Sequence, residues 1–91
     1  MPSSMVQLNH AVAVAMARGP EAGLRLIDVI AASGSLDDDY LLPAARADLL
    51  GRLGRDEESL LMYTRAATLA PTKAEREYLE AKIASTRSRH H

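Results

Sequence analysis

The stretch YLLPAARADLLGRLGRDEESLLMYTRAATLAP, residues 40–71, decides how the rest of the chain is read. Alanine, leucine and arginine run as far as Leu53-Gly54-Arg55, and Asp56-Glu57-Glu58 then opens a second segment with negative charge in its first turn. Pro71 closes that second segment, because proline cannot continue a helix. Alanine is the best helix former and is depleted in strands, so both segments read as helices. Gly54 supplies the turn between them, and the unit is a helical hairpin.

Upstream, residues 5–18 place Val12, Val14 and Met16 in alternation with alanine, a pattern that could suit a strand. Alanine at every other position argues for helix instead. The apolar residues of this helix go nearly all the way round, which predicts cover on more than one side and natural sequence ahead of it. Gly19-Pro20-Glu21 stops it and starts the next, with proline and an acid in the first turn. In that second helix Gly23, Leu26, Ile27, Ile30 and Ala31 form an amphipathic stripe. Ser33-Gly34-Ser35 marks a loop, and Asp37-Asp38-Asp39 supplies a cap and negative charge for the third helix.

The third helix is expected over 40–53, with Leu42, Ala45, Leu49 and Leu53 on one face, and the fourth over 56–70, with Leu60, Tyr63, Ala67 and Ala70 inward. Thr72 with Glu75 is a capping-box pattern for a fifth helix that runs to about Ser85, with Tyr78, Leu79 and Ile83 as its narrow apolar stripe. Residues 1–4 read as a leader, 5–86 as a single helical domain, and 87–91 as a cloning scar with the beginning of a His tag.

Composition narrows the function classes. The 91 residues carry a net charge of -1, no cysteine, and three tyrosines as their only aromatic residues. Absence of cysteine excludes disulfides and thiolate metal sites. Near-neutral charge leaves no electrostatic footprint for nucleic acid. The longest apolar run, Ala11 to Ala17, is far short of the roughly 20 residues that span a bilayer, so the expectation is a cytoplasmic protein without membrane contact.

The central hairpin resembles a tetratricopeptide repeat. Small residues stand where helices would touch (Ala47, Ser59, Ala66), Tyr63 fills the gap, Gly54 turns the chain and Pro71 ends the unit. Pro43 stands where that repeat usually has an aromatic residue and Leu50 where it often has tyrosine. The resemblance implies an all-α, right-handed stack of about five helices, two hairpins and a C-terminal capping helix. Four segments in order, at 6–15, 19–24, 41–55 and 74–80, are also similar to the C-terminal tetratricopeptide-like extension of a group of extracytoplasmic-function RNA polymerase sigma factors. That resemblance implies a non-catalytic regulatory domain whose partners are the sigma-factor core domains or RNA polymerase. The alternative is a stand-alone adaptor that binds a peptide, and self-association through the apolar first helix is a third expectation.

The sigma group often carries Asp-Gly-Tyr before its third helix. Asp38 and Tyr40 match, Asp39 replaces the glycine, and Leu41 stands where histidine is common. The resemblance therefore implies protein contacts at Asp38, Asp39 and Tyr40. Arg46, Arg52 and Arg55, with Arg65, could present a basic face to an acidic partner. The interleaved Asp48, Asp56, Glu57 and Glu58 favour a salt-bridged surface instead. The acidic run does not complete a calcium loop, since Leu42 and Asp48 occupy the places of the required glycine and glutamate. His10 has no serine, cysteine or carboxylate at a spacing that would make it a catalytic base, so neither enzyme activity nor a cofactor is expected.

Overall fold

The computed structural model describes residues 3–89. Five α-helices follow in order: α1 (Ser4–Arg18), α2 (Pro20–Ser33), α3 (Leu41–Arg52), α4 (Asp56–Leu69) and α5 (Lys73–Arg89). No strand occurs among the described residues. Gly19 does double duty at the first turn. Its φ of 102° is open only to glycine, its N–H donates to the carbonyl of Ala15 at 2.9 Å, and Pro20 then starts α2. Gly54, at φ 77°, turns α3 into α4.

Each helix packs on the next one in sequence, and α1 also touches α3. Ser4 lies 2.6 Å from Ser35 just ahead of α3, and Arg52 at the end of α3 reaches the sulfur of Met16 near the end of α1. The two helices therefore run the same way, side by side. Two core clusters result. Leu8, Ala11 and Ala15 of α1, Leu24, Ile27 and Ile30 of α2, and Leu42, Leu49 and Leu50 of α3 form the first. Ala47 of α3, Tyr63 and Ala66 of α4, Ala70, and Leu79 of α5 form the second.

Several boundaries and stripes differ from expectation for physical reasons. In α4 the buried residues are Ser59, Tyr63 and Ala66, followed by Ala70, while Leu60 and Ala67 are half-buried. The inward face is set by small residues that let α3 come close, and the Ser59 hydroxyl donates to the carbonyl of Ala47 at 2.7 Å. The fifth helix continues past Ser85 to Arg89. Buried Thr86 and an Arg89 to Asp56 contact of 3.6 Å hold its last turn against α4. Of the leader, Ser3 caps α1 by accepting from the Val6 N–H at 3.1 Å, and Ser4 is already helical. Met1, Pro2 and the two terminal histidines lie outside the described residues.

The N-cap half of the expected capping box forms, with the Glu75 carboxylate turned to the Thr72 hydroxyl rather than to its backbone N–H. Thr72 Oγ1 accepts from the Glu75 N–H at 3.2 Å and donates to the Glu75 carboxylate at 3.0 Å. The N-cap of α3 is Tyr40, which makes no side-chain capping bond; of the acidic run, Asp39 just ahead of it accepts from the Leu41 N–H at 2.9 Å.

Candidate functional site

Because α1 and α3 lie side by side and α5 follows across α4, these helices wall a groove of about 660 Å³. Its walls are α1 through Met5 and Val12, α3 through Leu41 and Ala44, and α5 through Tyr78 and Lys82. Tyr40, Tyr63 and Tyr78 all line it, so the three tyrosines of the chain meet at one surface. Tyr63 comes from α4 behind the groove and is only 6% exposed, whereas Tyr78 stands 61% exposed on the wall. That exposure departs from the expected inward role of Tyr78. The α5 stripe that faces α4 is carried by Leu79, Ile83 and Thr86 instead. Lys82 Nζ lies 5.6 Å from the centre of the Tyr78 ring, a cation held over the ring face.

The expected contact residues divide between opposite sides of the molecule. Tyr40 lines the groove at the N-terminal end of α3, and Asp38 and Asp39 sit beside it on a shallow surface shared with Leu69 and Pro71. Arg52 is in the groove, paired with Asp48 at 3.2 Å. Arg46 and Arg55 face the other side, in a cleft of about 530 Å³ between α2, α3 and α4. There Arg46 pairs with Asp28 across the helix interface, and Arg55 with Glu58 at 2.6 Å. All three arginines are thus neutralised locally, on two different surfaces.

Two tyrosines have phenols that hold their protons more tightly than usual. The Glu75 carboxylate beside the Tyr40 hydroxyl raises its pKa, with desolvation adding to the effect. For Tyr63 burial is the main cause, reinforced by the Asp48 charge. The folded state therefore binds these protons more strongly than the unfolded chain does, and the stability they contribute is complete below the ordinary tyrosine range. It is lost as pH rises through the raised values, above about 10. Urea unfolding is expected to show a lower midpoint at pH 11 than at pH 8, with a smaller drop in the Tyr63→Phe variant. Equal drops in both proteins would remove this explanation.

Among the described residues no three His, Cys, Asp or Glu side chains gather as a metal site would require. No helix among them is long and apolar enough to cross a membrane. What the groove can do chemically is bury apolar surface against a partner. Tyrosine suits such contacts because a large flat ring is ordered at little entropic cost and its hydroxyl tolerates water.

No family model matches the chain, and no solved structure matches it. An uncharacterized protein of Rhizobium meliloti (strain 1021) is 34% identical over 82 residues, which cover 90% of this chain and 19% of that protein. The chain thus spans about a fifth of the length of the curated relative it matches.

Proposed function

We propose that this unit is a non-catalytic interaction domain that acts through the tyrosine-lined groove. The observation that carries the reading is the convergence of all three tyrosine side chains, drawn from separate parts of the chain, on one surface. A domain that needed its rings only for packing would bury them. Here Tyr78 is left largely in solvent. On this reading the helices form a tetratricopeptide-like stack of two hairpins and a capping helix. Its support is the recurrence of Ala11, Gly23, Ile27 and Ile30 as the equally buried Ala47, Ser59, Tyr63 and Ala66.

The ordered similarity of four segments to sigma-factor extensions gives the setting. The domain would be cytoplasmic and would contact the sigma domains or core RNA polymerase to set transcription initiation, without touching DNA itself. A relative in which the matching segment is 19% of a longer protein is in keeping with a role inside a larger polypeptide. The groove also favours a second reading, a stand-alone adaptor for a peptide.

Deletion of this segment from the full-length protein is expected to change promoter-dependent transcription and to weaken polymerase binding. Unchanged output with unchanged binding would end the sigma reading. Tyr78→Ala should act at the same step: removing an exposed ring that anchors a partner weakens binding by about 2 kcal/mol, roughly 30-fold, while leaving the fold intact. Full partner affinity in that variant would show that the groove is not the contact surface.

A further inference from the structure

The hairpins repeat with a shift of 36 residues, which carries Ala11 to Ala47, Gly23 to Ser59, Ile27 to Tyr63 and Ile30 to Ala66. All eight are buried. The same shift places Val6, Ala13, Val14 and Ala17 of α1 where α3 has Leu42, Leu49, Leu50 and Leu53, and His10 where α3 has Arg46. In α3 that face is covered. Its leucines meet Leu24, Ile27 and Ile30, and Arg46 pairs with Asp28 of α2.

In α1 the equivalent face lies open. Val6 is 55% exposed, and His10, Ala13 and Ala17 are exposed with it. His10, Ala13 and Ala17, with half-buried Val14 and with Ala22 and Leu26 of α2, border a groove of about 530 Å³. Its polar side chains are His10, Arg18 and Arg25, and no carboxylate lines it. The opposite end of the molecule is finished differently, since α5 turns Glu77, Glu80, Arg76 and Arg87 to solvent. A helical array closes an end with a polar outer face, and the α1 end lacks one.

We infer that the outer face of α1 is a docking site for an acidic amphipathic α-helix, which lies on α1 as α2 lies on α3. Its aliphatic side covers Val6, Ala13 and Ala17, and a carboxylate meets His10 as Asp28 meets Arg46. A helix fits because its backbone is already hydrogen-bonded, and this surface is mostly methyl groups. An acidic helix fits because every charge the groove can offer is positive. A second copy of the chain is a poor occupant, since the aliphatic faces of its own α2 and α4 are already buried in the two cores. The site is distinct from the tyrosine groove, which α1 lines with Met5 and Val12 from a different face.

The test uses the intact chain and a peptide of residues 20–33, PEAGLRLIDVIAAS, stapled across Arg25 and Val29 so that it is helical. Titration followed by methyl and amide NMR is expected to shift the signals of Val6, His10, Ala13 and Ala17. Ala13→Glu in the chain, or Asp28→Arg in the peptide, should each weaken binding at least tenfold. Tyr78→Ala in the chain should leave it unchanged, and circular dichroism checks that both variants fold. Several results overturn the inference: no binding, shifts confined to the tyrosine groove, shifts at Ala11, Ala15 and Leu49 that report exchange with the native α2, or undiminished affinity with Ala13→Glu. A dimer in light scattering that Ala13→Glu dissolves would give the face to a second copy, and would overturn it too.

Discussion

Ile27→Ala should be among the most damaging single substitutions in this domain, lowering stability by about 2–5 kcal/mol. Ile27 has no exposed surface and lies in the cluster that joins the first three helices. Truncation removes its transfer free energy and leaves a cavity that helices tied by short turns cannot close. A chain of 91 residues has in total roughly 5–14 kcal/mol to lose. At about 4–8 °C per kcal/mol, the melting temperature should fall by about 8 °C or more. Ile27→Val, which deletes one methylene, is expected to stay within about 1.5 kcal/mol. A loss below 1 kcal/mol for the alanine variant would mean that the first cluster is looser than its burial indicates.

The second large effect runs against helix propensity. Replacing a mid-helix glycine with alanine ordinarily stabilises by about 1 kcal/mol. At Gly23 an added Cβ would sit 2.5 Å from the Cβ of Ala15, 3.0 Å from the carbonyl oxygen of Ala11 and 3.1 Å from Leu49 Cδ1. Two of those atoms cannot rotate away, being a Cβ and a backbone oxygen of α1. The helices would have to move apart, and overpacking of this kind costs about 1–3 kcal/mol. Repulsion therefore outweighs propensity. Gly23→Ala is expected to destabilise, and Gly23→Val to do so further, as measured by urea unfolding. Stabilisation by the alanine would show that α1 and α2 are not in such close contact.

Much of the fold was legible because its punctuation is local chemistry. Gly19-Pro20, Gly54 and the Thr72–Glu75 pair each act through their own neighbours, and each boundary they mark falls within a residue or two of its expected place. On α4 hydrophobic spacing points to Leu60 and Ala67, whereas close helix contact selects the small Ser59 and Ala66 beside them, the positions that the repeat resemblance marks for helix contact. The end of α5 was misjudged because Arg87-Ser88-Arg89 has the composition of a tag. Only the distant Asp56 and the packing of Thr86 show that the helix goes on.

The candidate site was less legible. At 100° per residue Arg46 and Arg52 point about 120° apart around α3, so the sequence already held the signal that they serve different faces. The meeting of Tyr40, Tyr63 and Tyr78 held no such signal. It depends on how α4 and α5 fold back behind α3, which no local pattern encodes.

The sharing of α3 between the two clusters bears on how the molecule comes apart. Leu42, Leu49 and Leu50 belong to one core and Ala47 to the other, while the remaining helices pack chiefly on their neighbours in sequence. Such a chain approaches a one-dimensional array whose cohesion is summed link by link. Contacts this local favour rapid assembly. They also let an end open without first breaking the middle: because α1 packs more extensively on α2 than α2 does on α3, the α1–α2 hairpin is expected to separate as a unit, seen as a shared, lower amide-exchange protection of those two helices.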